Sequence, residues 1–216
     1  MVTLVALGKY NDIFSDFLSN TNVYISQDVP RILVRDGYEI PDPPGWKVIQ
    51  GPRQFSMAGN GNCGLTAVEK NSDILYVGDD VRFMAPDPHE TFFREAHADP
   101  NLGILSASIN GGASNPLQYE RIQELTYTER PVAFICVYLK RAMIEKIGYL
   151  DEQFANYGYD DVDLCLRAKQ AGFTMAVTPN VLVNHGHGSA TFQRNPYMNT
   201  TNNRAKFEKK WGKEYL

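Results

Sequence analysis

The sequence predicts an α/β fold: one mostly parallel sheet flanked by helices, built as a single domain over residues 1–216. Three observations carry this expectation. Short apolar runs alternate with amphipathic helical stretches, the pattern of strand–helix–strand crossovers. The run Ile74–Val77 is apolar without alternation, which suits a strand covered on both faces, and it ends in Gly78, Asp79 and Asp80. Ligands of open α/β sheets bind at the carboxyl ends of strands, so adjacent acids there mark a candidate site. Finally, 43% apolar content over 216 residues supplies the core of one large domain.

The elements follow in order. Thr3–Leu7 is a short apolar strand, and Asn11 and Asp12 then open a helix with Ile13, Phe14, Phe17 and Leu18 on one face. Arg31–Val34 is a second strand leading to Asp36 and Gly37; a proline-rich loop over residues 41–46 separates it from a third, Lys47–Gln50. Thr91–Ala98 reads as a helix, Gly103–Ile109 as a strand and Asn110–Pro116 as a flexible loop. Val132–Leu139 reads as a long buried strand, and Arg141–Ile147 as a short helix closed by Gly148. Asp160 and Asp161 start a helix with Leu164, Ala168 and Ala171 on one face and Gly172 at its end. Its dipole and free N–H groups favour ionised carboxylates at that start. Thr174–Val177 and Val181–Val183 are further strands. The basic, aromatic C-terminal stretch is a helix that caps the domain.

Several function classes recede on composition. A net charge of −4 gives no general attraction to nucleic acid or anionic membrane. Cys63, Cys136 and Cys165 are widely spaced and read as reduced thiols, which with no signal-peptide pattern sets a cytoplasmic expectation. No apolar run approaches the roughly 20 residues of a transmembrane helix. Gly59, Gly61 and Gly64 fit the dinucleotide pattern G-x-G-x-x-G, but that pattern needs a tight turn directly after a strand. Here the preceding strand breaks well before Gly59, so a glycine-rich helix packed closely on the sheet is expected instead.

Two further signals remain: the acids Asp160 and Asp161, and the histidines His185 and His187. Residues two apart in an extended segment point the same way, a spacing that can serve a metal. With a strand-end acid pair, an acidic helix start and a histidine-rich loop in that order, the chain resembles the family 2 glycosyltransferases of the GT-A fold over nearly its whole length. LGKYN, from Leu7 to Tyr10 and Asn11, is similar to the family's P-x-Y-N loop, with Gly8 in place of proline. RILVRDG resembles its second strand, whose last acid, here Asp36, contacts the nucleotide base. VGDDV resembles the D-x-D region, with Gly78 replacing the first acid and Asp80 matching the metal-binding one. GYLDEQFANYGYDDVDLCLRAKQAGF is the most specific match; in it Asp160 replaces a glutamate and Asp161 falls on the catalytic base. VNHGHGSA resembles the late metal-binding histidine and its loop, and KKWG the usual C-terminal end. Where the family often carries an arginine before the asparagine of R-N-x-G, this chain has Gly61 before Asn62.

The resemblance implies a metal-dependent, inverting transferase that moves a sugar from a nucleotide-diphosphate-sugar, such as a UDP-sugar, to a hydroxyl of a glycan, lipid or protein. Its donor would meet Leu7, Tyr10, Asn11, Asp36, Asn62, Asp79 and Asp80. Mn²⁺ or Mg²⁺ would be held by Asp80 with His185 or His187; His185 is favoured because it directly follows a strand. Residues 1–84 would form the nucleotide half and residues 85–216 the acceptor half, with acceptor loops over 110–128 and 189–203. Two other classes stand beside this reading. One is another nucleotide-using enzyme, a nucleotidyltransferase or dinucleotide oxidoreductase; the other is a catalytically silent sugar- or nucleotide-binding module.

Overall fold

The structure is a computed structural model, and it describes residues 1–37, 40–52, 56–185 and 201–213. The first half runs β1 (Val2–Gly8), α1 (Asn11–Tyr24), β2 (Arg31–Arg35), β3 (Lys47–Gln50), α2 (Met57–Ala67) and β4 (Asp73–Gly78). The second runs β5 (Val81–Phe83), α3 (Pro88–Ala98), β6 (Leu102–Asn110), a 3₁₀ turn (Pro116–Gln118), β7 (Thr126–Thr128) and β8 (Cys136–Leu139). It closes with α4 (Arg141–Ile147), α5 (Asp160–Gln170), β9 (Thr174–His185) and α6 (Thr201–Trp211).

The strands form one sheet in the order β3-β2-β1-β4-β8-β6-β9-β5, with β7 added against β9. The pairs β3–β2, β2–β1, β1–β4 and β6–β9 are parallel, while β8 runs antiparallel between β4 and β6. Two reversals across β8 restore the direction, so β1, β2, β4, β6 and β9 all end at one edge. Register sets the ends level there: Gly8 lies beside Arg35, Leu7 beside Gly78, and Asn110 beside Asn184. The loops leaving these strands therefore deliver Lys9, Asp36 and Asp79 to one place. Antiparallel β5 returns beside the end of β9 and sets Val81 opposite His185.

Both faces of the sheet are covered, which explains the unbroken apolar runs. Along β1, Leu4 and Ala6 join Phe14, Phe17, Trp46 and Phe92 under α1 and α3. Val5 points the other way, toward Leu65, Tyr76, Met143 and Leu164 under α2, α4 and α5. The glycine-rich stretch is part of α2, capped by Ser56, whose hydroxyl accepts from the Gly59 N–H at 3.2 Å. A Cβ on Gly64 would stand 2.5 Å from a Val5 methyl and 3.0 Å from one of Val34, so its missing side chain lets α2 lie directly on the sheet. The glycines form no phosphate turn. A Gly64→Ala variant is expected to lose about 1–2 kcal/mol in chemical denaturation, overpacking against β1 outweighing a helix-propensity gain of about 1 kcal/mol. Unchanged stability would show that the contact relaxes freely.

Three sequence expectations need correction. Only Cys136–Leu139 of the expected long strand pairs as a strand. Before it, the buried Gln118 carboxamide takes both the Ala133 N–H (2.8 Å) and the Ala133 carbonyl (3.0 Å), so no ladder can form there. The two strands expected over 174–183 are one strand, β9, with an irregularity where its register against β6 jumps from Thr178 to Leu182. The expected flexible loop after β6 ends pinned: Asn115 is buried, accepts from the Leu117 N–H at 3.1 Å and donates to the Arg130 carbonyl at 3.0 Å. Among the described residues, no helix is long and apolar enough to cross a membrane.

Candidate active site

A cavity of about 670 Å³ opens at the shared edge, and Leu7, Asp36, Asp79, Asp80, Asp160, Asp161 and His185 all line it. The Asp79–Asp80 turn is held from below by Arg82, whose guanidinium donates to the carbonyls of Asp79 (2.9 Å), Val81 (2.8 Å) and Ile13 (3.1 Å). Asp79 is buried and accepts weakly from the Lys9 N–H at 3.4 Å. Burial, and then the neighbouring Asp80 charge, push its carboxyl up to about 7. Asp80 instead faces His185, Oδ2 to Nε2 at 3.2 Å. That contact raises the imidazole above its ordinary range, overcoming the opposing effect of burial.

The second acid pair is placed by an unusual backbone. Asn156, Gly158 and Tyr159 all have positive φ, at 64°, 90° and 72°. Left-handed non-glycine residues are costly and persist only where the surroundings hold them. Here the hold is explicit. The Asn156 carbonyl accepts from the Met57 N–H at 2.8 Å, and the Asn203 amide of α6 donates to the carbonyls of Ala155, Tyr157 and Gly158. Phe207 packs on Tyr159 and Phe154, with ring centroids 5.1 and 6.4 Å away. Asp163, fully buried, anchors the far end of α6 through the Trp211 indole (2.8 Å) and Lys210 (2.6 Å), and binds Arg167 at 2.8 Å. The C-terminal helix thus caps the domain and braces the active edge.

The helix start was expected to favour ionised acids, but burial works against it at both. Asp160 is buried, and burial, reinforced by Asp161, pushes it up to about 8. Asp161 is also raised by burial, although the backbones of Val162 and Phe134 hydrogen-bond to it and pull the other way. At Asp160, burial beside a second acid outweighs what the helix dipole can offset. Stability follows with a definite sign. Unfolded aspartates titrate near pH 4, whereas Asp160 and Asp79 titrate at about 8 and about 7, so between these values the folded state holds extra protons. Without divalent cation, stability is therefore expected to fall from pH 5 to pH 8. Asp160→Asn should flatten that slope, and a slope left unchanged in melting curves would contradict it.

Not every candidate reaches the cavity. Asn62 turns away: its amide donates to the Leu150 carbonyl (2.9 Å) and to Glu152 (2.8 Å). Tyr10 and Asn11 stand at the start of α1 outside the lining, where the Tyr10 carbonyl accepts from the Phe14 N–H. His187 lies outside the described residues, as does most of the second acceptor loop. Conversely, Lys9 lines the cavity with its ammonium 2.7 Å from Asp36, and Tyr76, Phe134 and Tyr157 form an aromatic wall. Lys9 stood inside the LGKYN match and could have been singled out; the aromatics carried no such signal. Among the described residues, no cluster of three or more acidic, histidine or cysteine side chains could hold a metal.

The architecture has parallels among solved structures. GalNAc-T7, crystallised with UDP, GalNAc and Mn²⁺, superposes with a TM-score of 0.68 over 86% of this chain and 44% of its own, at 10% identity. TarS of S. aureus does so with a TM-score of 0.57 over 84% of this chain and 36% of its own, at 15% identity. Both are glycosyltransferases. The fold is GT-A-like. At these identities the GT-A likeness speaks for the fold alone, and the chain spans under half of either structure. By sequence it is similar to the uncharacterized protein y4gI of Sinorhizobium fredii, 23% identical over 186 residues, 76% of this chain and 20% of that one. No protein-family model matches.

Proposed function

We propose that this chain is a metal-dependent, inverting glycosyltransferase that takes a sugar from a nucleotide-diphosphate-sugar, a UDP-sugar by preference, and places it on a hydroxyl of a glycan, lipid or protein. The observation that carries this reading is the joining, in one cavity, of the Asp80–His185 pair at 3.2 Å with the Asp160–Asp161 pair. Residues 1–84 serve the nucleotide and residues 85–216 the acceptor.

The facing carboxylate oxygen and imidazole nitrogen fit a divalent cation. Mg²⁺ takes oxygen ligands, so the imidazole tilts the choice to Mn²⁺, which Asp80 and His185 would hold. Such an ion, when bound, supplies positive charge against the departing diphosphate. The chain's own residues do the rest. Asp36 meets the base and Lys9 brings a cation to the nucleotide side. Asp161, more open than Asp160, accepts the proton of the attacking hydroxyl as the new bond to the anomeric carbon forms and the bond to phosphate breaks. Asp160, deeper, holds the proton that the pair shares. A single base on one face of the sugar requires attack opposite the leaving group, hence inversion.

A thermal-shift screen of nucleotide-sugars with and without Mn²⁺ tests this reading. A ligand at 100 times its Kd stabilises the native state by about 2.7 kcal/mol, a readily measured shift. A UDP-sugar with Mn²⁺ is expected to give it. A shift from NAD and none from any nucleotide-sugar would favour the oxidoreductase instead.

A further inference from the structure

Tyr159 is the N-cap of α5 and makes no side-chain cap hydrogen bond, so nothing local fixes where that helix begins. Its carbonyl nonetheless accepts the first helical bond, from the Asp163 N–H at 2.9 Å. A bulky residue at φ 72° leaves that conformation unless its surroundings hold it. The start of α5, and with it Asp160 and Asp161, is therefore set from outside the helix. On one side Asn156 bridges to Ser56 at the start of α2, its carbonyl 2.8 Å from the Met57 nitrogen. On the other, a single nitrogen of α6 serves the rest of the turn. The Asn203 Nδ2 stands 2.6, 3.2 and 3.1 Å from the carbonyl oxygens of Ala155, Tyr157 and Gly158. Carbonyl oxygens gathered so closely repel one another, and buried without a donor each is costly. Asn203 is 1% exposed, so bulk water does not stand in for its amide. Tyr157, Gly158, Tyr159, Asp160 and Asp161 all line the cavity, whereas Asn203 does not.

We propose that Asn203 is a positioning residue for sugar transfer: acting through the turn over residues 155–159, its carboxamide sets where Asp161 and its partner Asp160 stand. This assignment rests on the glycosyltransferase reading above. With the amide donor gone, the three carbonyls turn apart and Tyr159 relaxes toward an ordinary backbone conformation. The first turn of α5 then shifts, and the base moves with it. The Asp80–His185 pair stands on other elements, the β4–β5 turn and the end of β9, so it keeps its 3.2 Å contact. Asn203 therefore acts on the chemical step and not on the binding of nucleotide and cation.

The test compares wild type, Asn203→Asp and Trp211→Phe in the release of UDP from the UDP-sugar giving the largest thermal shift, with Mn²⁺ present and water as acceptor. Asn203→Asp keeps the shape and puts an acceptor where the donor stood. Should its melting curve show no folded state, Asn203→Ala takes its place with the same expectation. Trp211→Phe loosens the far end of α6, where the indole N–H meets Asp163 at 2.8 Å, and leaves the Asn203 carboxamide in place. Asn203→Asp is expected to lower kcat about 10–100-fold, the cost of misplacing a catalytic group. Its KM and Mn²⁺-dependent UDP affinity should match wild type, and its pH–rate profile should be displaced. Trp211→Phe is expected to melt lower yet turn over as wild type. An Asn203 variant with wild-type kcat overturns this proposal alone, as does one whose UDP affinity falls in step with turnover. So does a Trp211→Phe protein that loses turnover as far, since any loosening of α6 would then have the same effect. Wild type that releases UDP from no nucleotide-sugar overturns the glycosyltransferase reading, and this assignment with it.

Discussion

An Asp161→Asn variant is expected to bind UDP with Mn²⁺ as wild type would but to transfer sugar about 10²–10⁴-fold more slowly, the usual cost of removing a general base. The substitution keeps the shape of the side chain, which lines the cavity and hydrogen-bonds to the Val162 N–H at 2.8 Å. What it loses is the ability to take a proton. The neighbouring Asp160 gives the control. Burial and Asp161 hold Asp160 up at about 8, so at neutral pH it is the protonated partner and cannot replace the base. Asp160→Asn should therefore cost much less at neutral pH, although it removes the shared proton and moves the pH–rate profile. Product formation by each variant, beside calorimetric titration of UDP, separates chemistry from binding. An Asp161→Asn enzyme that turns over normally while Asp160→Asn is dead would move the base one residue back.

The second large effect falls on the cation pair. Even partners in the outer shell of a metal site typically cost about 10–100-fold on mutation, so Asp80→Ala is expected to lower transfer more than about 10²-fold. His185→Ala should follow it, because its Nε2 faces the same Asp80 oxygen at 3.2 Å. In both variants the loss should appear in the Mn²⁺-dependent part of UDP affinity, with the melting temperature near that of wild type. Asp79 is the contrast: buried and raised to about 7, it is placed to brace the Lys9 turn rather than to hold an ion. If His187→Ala loses metal-dependent binding while His185→Ala keeps it, the ranking of the two histidines is wrong.

The strands were legible because burial on both faces leaves an unbroken apolar run, as at Ile74–Val77, and the acids at their ends marked the edge correctly. Direction was not legible: the apolar pattern of β8 is the same whether it runs parallel or antiparallel, and only its neighbours β4 and β6 decide. Nor could a local pattern show that the Gln118 side chain would occupy the backbone of Ala133 and shorten that strand. Asn62 fits its motif yet bonds to residues 150 and 152, nearly ninety positions away, a choice fixed only by tertiary packing. The upward shift of Asp160 and Asp161 was not legible for a related reason. The helix dipole is local and visible in sequence, whereas the desolvation that opposes it depends on how the chain before α5 closes against α2 and α6. Tyr76 looked like any core aromatic, and only the packing of α2 shows its buried hydroxyl set against Gly61 without a hydrogen-bond partner among the described residues.

Calorimetric titration of UDP into the wild-type protein, once with Mn²⁺ and once with EDTA, tests the central claim most directly. One saturable site is expected with Mn²⁺, at least about tenfold tighter than with EDTA, since the ion would join the diphosphate to Asp80 and His185. Equal affinity in the two titrations, or heat in neither, would contradict a metal-dependent nucleotide site at this edge of the sheet.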